Sequence, residues 1–134
     1  MKTLDISKYK LFEPILDFKI GADYIDLHND FNCIEIKADM QNVILYFLSL
    51  SDYNKKVEIK FNNAKIVKTK YELNDKTKYT TLCNFHRGKF ENLNHTLYEK
   101  NEDGQKYYYL DFFEGQHLEI FAKKAIASPV ERND

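Results

Sequence analysis

Long apolar runs are missing from this sequence. The longest is "VILYFL" at 43–48, whereas a membrane-spanning helix needs roughly 18 or more apolar residues. Charged residues and Pro14 interrupt the N-terminal stretch "MKTLDISKYKLFEPILDFKIG", so it has no unbroken apolar region of the kind that signal peptides carry. We therefore expect a cytoplasmic protein that does not bind membranes.

Cysteine, glycine, proline and tryptophan are also scarce. The chain has two Cys, four Gly, two Pro and no Trp. Cys33 and Cys83 have no metal-type neighbours, so we expect reduced thiols rather than a disulfide framework or a metal site. With so little Gly and Pro there is no sign of a long flexible linker. The 134 residues therefore predict a single domain over 1–134, with a frayed tail at 128–134.

Arginine is scarce, and neither sign of charge dominates. The formal net charge is −1, from 20 basic and 21 acidic residues, and 18 of the basic residues are Lys. We expect no nucleic-acid partner, because basic surfaces and Arg forks are typical of phosphate readers. The segment from Lys55 to Lys89 is nevertheless basic, with ten Lys or Arg against three acids. It is either an ordinary lysine-rich surface or a region that meets an acidic partner.

What the sequence does have is alternation with a period of two. "FNCIEIKA" at 31–38 and "KVEIKFN" at 56–62 alternate apolar with polar residues, the pattern of half-buried strands. Turn segments rich in Asn, Asp and Gly separate such stretches. The fold class is therefore predicted to be mainly β. We expect an antiparallel meander that folds into a sandwich or open barrel, with one short helix as an option near the N-terminus or at residues 40–50.

Residues 40–50 allow two interpretations. Apolar residues fall at helical spacing after Asp39, a residue type suited to an N-cap. The same residues are rich in Val, Ile, Tyr and Phe, which favour a buried strand. The short spacing to strands on either side favours the strand.

The segment "KYYYLDFFEGQHLEIF" at 106–121 predicts a hairpin. A three-residue loop at 114–116 would place Leu110 opposite Ile120 and Phe112 opposite Leu118, which gives one continuous apolar face. A preceding turn at 103–104 would place Leu97 opposite Leu110 in a third strand. We expect this apolar face to be core.

The opposite face of this hairpin is the candidate binding surface. In the predicted register Asp111 lies directly across from Glu119, an arrangement that repels unless a cation or a basic group intervenes. Three interpretations stay open: another part of the chain covers the face, a partner protein contacts it, or it lines a ligand or catalytic pocket. The candidate partner-binding residues are Tyr98, Tyr107, Tyr109, Asp111, Phe113, His117, Glu119 and Phe121.

A second candidate is "FHRGKF" at 85–90. It is predicted as a hairpin tip that gathers His86, Arg87 and Lys89, a set that could grip a carboxylate or phosphate. The alternative is a solvated turn with no ligand.

No motif for nucleophilic, phosphate-binding or metal chemistry is present, so we expect no catalytic residues, no cofactor and no metal. The function that these observations favour is a small intracellular, non-catalytic protein-interaction domain, a binder or inhibitor such as a bacterial immunity-type protein. One alternative is a small enzyme or ligand-binding protein that uses Asp111, Glu119 and His117. Another is a self-associating structural subunit.

Overall fold

In a computed structural model of the chain, the described residues are 2–69, 80–90, 97–99 and 103–130. Their strands, in chain order, are β1 (Leu4–Asp5), β2 (Asp17–Ile20), β3 (Asp23–Asp26), β4 (Phe31–Ala38), β5 (Asn42–Ser49), β6 (Lys56–Asn62), β7 (Lys65–Thr69), β8 (Leu82–Arg87), β9 (Lys89–Phe90), β10 (Leu97–Tyr98), β11 (Lys106–Phe112), β12 (His117–Ala122) and β13 (Lys124–Val130). Helical turns in the described part are two 3-10 turns, Ile6–Lys8 and Phe113–Gly115.

The strands build two antiparallel sheets. The first sheet has the order β1-β13-β6-β5-β4, and the second sheet has the order β7-β12-β11-β8. Two ribbons, β2-β3 and β9-β10, accompany them. The prediction of a mainly β, antiparallel fold is confirmed, and the described strands do not join into a closed barrel.

One apolar core lies between the two sheets. Phe61 of the first sheet contacts Phe85 and Tyr108 of the second, with ring centroids 6.1 and 5.2 Å apart. Burial alternates along β5, where Val43 and Leu45 are buried between half-buried neighbours. The helix option for residues 40–50 is therefore wrong, because their second apolar set lies on the outer side of a strand and not on a helical stripe.

The chain changes sheets twice, so the strand order is not strictly sequential. It leaves the first sheet after β6, where Asn63 has a φ of 49°, and returns between β12 and β13. β13 then pairs with β6 along its whole length, to Val130 opposite Lys56. Residues 128–130 are thus part of a paired strand, and the predicted frayed tail is wrong for these three. Residues 131–134 lie outside the described part.

The hairpin of β11 and β12 has the predicted faces but a different register. Leu110 lies opposite Leu118, and Asp111 lies opposite His117. The Phe112 amide donates to the Gln116 carbonyl, so the loop is the 3-10 turn Phe113–Gly115, one residue earlier in the chain than the predicted loop at 114–116. The predicted register was two residues out, and a shift of two residues leaves every side chain on its face.

The predicted neighbour of β11 is wrong. Leu97 in β10 pairs with Phe90, while Leu110 in β11 pairs with Phe85 of β8. β8 is six residues long and brings buried Leu82 and Phe85 to the core, whereas β10 has two residues. A longer strand that buries more apolar surface outweighs the local turn signal at 103–104.

The N-terminal segment runs along the outer edge of β8. The Phe12 amide donates to the Arg87 carbonyl at 3.0 Å, and the Ile15 amide donates to the Phe85 carbonyl at 2.8 Å. The segment therefore satisfies part of a sheet edge that would otherwise expose its backbone groups. It also carries Phe12 to the outer side of the second sheet.

Candidate functional site

The outer face of the second sheet faces away from the core and carries the aromatic and charged residues of three strands. Its central column is Tyr107, Tyr109 and Asp111 on β11. Tyr109 lies between His86 of β8 and Glu119 of β12. β7 adds Lys68 beside Glu119.

A cleft of about 500 Å³ opens on this outer face. Tyr107 and Tyr109 of β11 both line it. Gly88 lies at one side, where its φ of +93° bends the chain between β8 and β9. The lining residues are Phe12, Lys68, His86, Gly88, Lys89, Tyr107, Tyr109 and Glu119.

Glu119 is the buried charge of the cleft, with only 5% of its surface exposed. One carboxylate oxygen accepts a hydrogen bond from the Tyr107 hydroxyl and another, at 3.2 Å, from the Lys89 ammonium. The other oxygen lies 3.5 Å from Nε2 of His117. Buried carboxylates are tolerated when they are paired and hydrogen-bonded in this way.

These contacts set the protonation of the cluster. Burial alone would raise the pKa of the Glu119 carboxyl, yet the hydrogen bonds from Tyr107 and Lys89 and the charges of Lys89 and Lys68 outweigh it and lower that pKa. Burial, together with the bond to Glu119, raises the pKa of the Tyr107 hydroxyl. The cluster therefore holds an ionised carboxylate and a protonated phenol at neutral pH.

A row of four aromatic and imidazole rings crosses the outer face. The Tyr109 ring is stacked on His86 at 5.3 Å, with an interplanar angle of 29°, and on His117 at 6.4 Å and 22°. Phe12 closes the row against His86, at 5.3 Å between ring centroids. These ring contacts link the N-terminal segment, β8, β11 and β12 across the outer face.

The eight candidate partner-binding residues differ in burial. Tyr107, Glu119 and Phe121 are buried, while Tyr109, Asp111 and His117 are half-buried. Phe113 is exposed, at 61% of its surface. The side chain of Tyr98 lies outside the described part of the chain.

The predicted opposition of Asp111 and Glu119 is wrong. Asp111 lies across from His117 and accepts a hydrogen bond from the Asn84 side chain at 3.2 Å, whereas Glu119 lies across from Tyr109. Each carboxylate therefore has its own polar partners, and the predicted repulsion between them does not arise.

The predicted anion-binding set is divided between two sides of β8. His86 and Lys89 line the cleft. Arg87 is buried on the other side, where it donates to the carbonyls of Ser7 and Tyr9 and pairs with the Glu99 carboxylate. The predicted hairpin tip at 85–90 is wrong, because β8 and β9 do not form a hairpin. The chain bends at Gly88 and continues from β8 into β9.

Three lining residues, Phe12, Lys68 and Gly88, are not among the candidate site residues from the sequence. Lys68 stands on β7, and alternation along this strand could have assigned it to the outer face. No local signal indicates Phe12, since it reaches the cleft only through the pairing of the N-terminal segment with β8.

The pKa shifts of Glu119 and Tyr107 do not favour proton transfer at neutral pH. An efficient general acid or base has a pKa near the working pH, and the pKa shifts of Glu119 and Tyr107 both lead away from neutrality. Burial and the charge of Asp111 raise the pKa of the Cys83 thiol, which opposes a nucleophilic thiolate. Among the described residues no group of three His, Cys, Asp or Glu side chains is placed to hold a metal ion.

In the described part of the chain, no helix has the length and apolar character needed to cross a membrane. No protein-family model, curated protein or solved structure matches this chain.

Proposed function

We propose that this chain is a small, intracellular, non-catalytic protein-interaction domain whose contact surface is the outer face of the second sheet. The observation that carries the proposal is Phe113, a large apolar side chain that is 61% exposed. It stands at the turn of the β11–β12 hairpin, next to the half-buried Asp111 and His117. Exposed aromatics beside a structured polar surface are typical of interface anchors.

The buried cluster supports a binding role over the enzyme alternative. The Glu119 carboxylate accepts hydrogen bonds from Lys89 and Tyr107, and the Asp111 carboxylate accepts one from Asn84. Because its pKa is lowered, the Glu119 carboxylate of the trio Asp111, Glu119 and His117 is poorly suited to proton transfer at neutral pH. A surface whose buried carboxylate is already paired suits a binder or inhibitor, of which a bacterial immunity-type protein is one concrete form.

The test is quantitative affinity capture with matched variants. Wild type, Phe113→Ala and Met40→Ala are immobilised in equal amounts and exposed to lysate of the source cell. Met40 is 98% exposed, in the turn between β4 and β5 of the first sheet, so its variant controls for the loss of an exposed apolar side chain. We expect one protein to be captured by wild type and Met40→Ala and to be lost with Phe113→Ala.

Equal capture by all three proteins would overturn the assignment of the outer face. Turnover in a broad substrate screen that is abolished by Glu119→Gln, with the fold intact, would overturn the non-catalytic role.

A further inference from the structure

We infer that the cleft is a receptor for a carboxylate, and that the occupant is an acidic side chain of the partner protein. The inference rests on the proposed function and specifies the chemistry of the partner. It starts from the charge balance of the lining. Two ammonium groups, Lys68 and Lys89, face one carboxylate, Glu119, so the cleft carries a surplus of positive charge.

The positions of these charges decide where an anion would bind. Glu119 is buried and already accepts bonds from Tyr107 and Lys89. Lys68 is exposed, and Lys89 is about half exposed, at 48% of its side chain. The negative charge is therefore sheltered at the bottom of the cleft, while the positive charges lie at its accessible rim. An incoming anion meets the ammonium groups first.

The ring row adds polar edges and apolar walls. His86 and Tyr109 line the cleft as stacked rings, and Phe12 packs against His86. The Tyr109 phenol can donate a hydrogen bond to a carboxylate, while Phe12 can cover the methylene groups of a Glu or Asp side chain. The cleft thus combines charge, donors and an apolar wall, which suits a carboxylate carried on a short aliphatic stem.

The size of the cleft and the position of Phe113 favour a carboxylate from a protein. About 500 Å³ of open space exceeds what one carboxylate fills. Phe113 is exposed in the turn that joins β11 to β12, the strands that supply Tyr109 and Glu119 to the cleft, and it would contact residues that flank the acidic side chain. Lys68 and Lys89 also belong to the basic segment 55–89, for which an acidic partner is one of the two expectations from the sequence.

The experiment follows the aromatic proton resonances of His86, Tyr109 and His117 by NMR during titration with a hexaglutamate peptide. Hexaglutamine serves as the uncharged probe, and glutarate and inorganic phosphate serve as small free anions. The variants are Lys68→Gln and Lys37→Gln. Lys37 is exposed on β4 of the first sheet, so its variant makes the same charge change away from the cleft.

We expect hexaglutamate to shift these resonances and hexaglutamine to leave them in place. Lys68→Gln should weaken the peptide about tenfold, the loss typical of one charge-assisted contact, and Lys37→Gln should leave its Kd within about twofold. Absence of a hexaglutamate effect, or equal weakening by both variants, would overturn the inference. Glutarate or phosphate binding as tightly as the peptide would assign the cleft to a small free anion.

The two proposals can fail separately. If hexaglutamate does not bind but Phe113→Ala abolishes capture of the partner protein, the interaction role stands and the acidic occupant is overturned. If hexaglutamate binds through Lys68 but no protein is captured in a Phe113-dependent way, the carboxylate site stands and the proposed contact surface is overturned.

Discussion

Glu119 is the residue on which the outer face depends most. It is a buried carboxylate held by Tyr107 and Lys89, and replacement of its charge weakens both hydrogen bonds. We expect Glu119→Gln to cost about 1–3 kcal/mol of unfolding free energy at pH 7, as for a hydrogen bond to a charged group. Urea denaturation measures this loss of unfolding free energy. The control is Glu35→Gln, on the exposed side of β4.

The same variant has a defined pH dependence. The pKa of Glu119 is lowered in the folded state from its ordinary value of 4.5, so the unfolded chain binds the proton more tightly. The stability contributed by the charge is fully present above about pH 4.5 and is lost as the pH falls through the lower folded pKa. The difference in unfolding free energy between wild type and Glu119→Gln should therefore become smaller on acidification to about pH 3. A difference that stays constant over this range would contradict the lowered pKa.

Leu110 and Phe113 are neighbours on one hairpin with opposite expected effects. Leu110 is fully buried between the sheets, so Leu110→Ala should cost about 2–5 kcal/mol through lost burial and a cavity. Phe113 is 61% exposed, so Phe113→Ala should stay within about 0.5 kcal/mol, as for ordinary surface sites. Urea denaturation of both variants decides the matter, and a large loss with Phe113→Ala would mean that the hairpin turn is packed and not available to a partner.

At the scale of the element, the bend at Gly88 joins β8, β9 and the N-terminal segment. Gly88 has a φ of +93°, and a Cβ there would meet Leu11 Cδ2 at 2.9 Å. Gly104 also has a positive φ, of +78°, but nothing lies within 4 Å of its Cβ position. Gly104→Ala should therefore cost only the backbone strain of about 1–2 kcal/mol, and Gly88→Ala should cost about 1–3 kcal/mol more through overpacking.

Hydrogen exchange separates the two effects. The Phe12 and Ile15 amides donate to carbonyls of β8, so displacement of the N-terminal segment should speed their exchange in Gly88→Ala and not in Gly104→Ala. Similar exchange in both variants would show that the segment does not rest on Gly88.

At the scale of the whole molecule, we expect a monomer at low micromolar concentration. β8 is paired on its outer edge by the N-terminal segment, and β7 carries Lys65 and Lys68, charges that discourage strand pairing between copies. The exposed apolar residues Met40 and Phe113 stand on separate turns. Sedimentation velocity tests this, and a stable dimer would favour the self-associating alternative.

The sequence by itself determined that segments such as 31–38 and 56–62 are strands and which hairpin residues are core. Alternation along one strand is a local property, and burial of Leu110, Phe112 and Ile120 follows from it. Even a register two residues out kept these faces, because side chains repeat every two residues. The same reasoning identified the aromatic outer face and two members of the cleft, His86 and Lys89.

Only the tertiary structure decided which strands meet on that face. β11 pairs with β8 rather than with β10, and Lys68 and Lys89 reach Glu119 from β7 and from the bend after β8. Strand pairing over long separations depends on the total apolar surface buried, which is not written in the spacing of any one segment. The sequence therefore predicted that Glu119 is repelled by Asp111. In the fold the Glu119 carboxylate is paired with positive charges, because these come from distant strands.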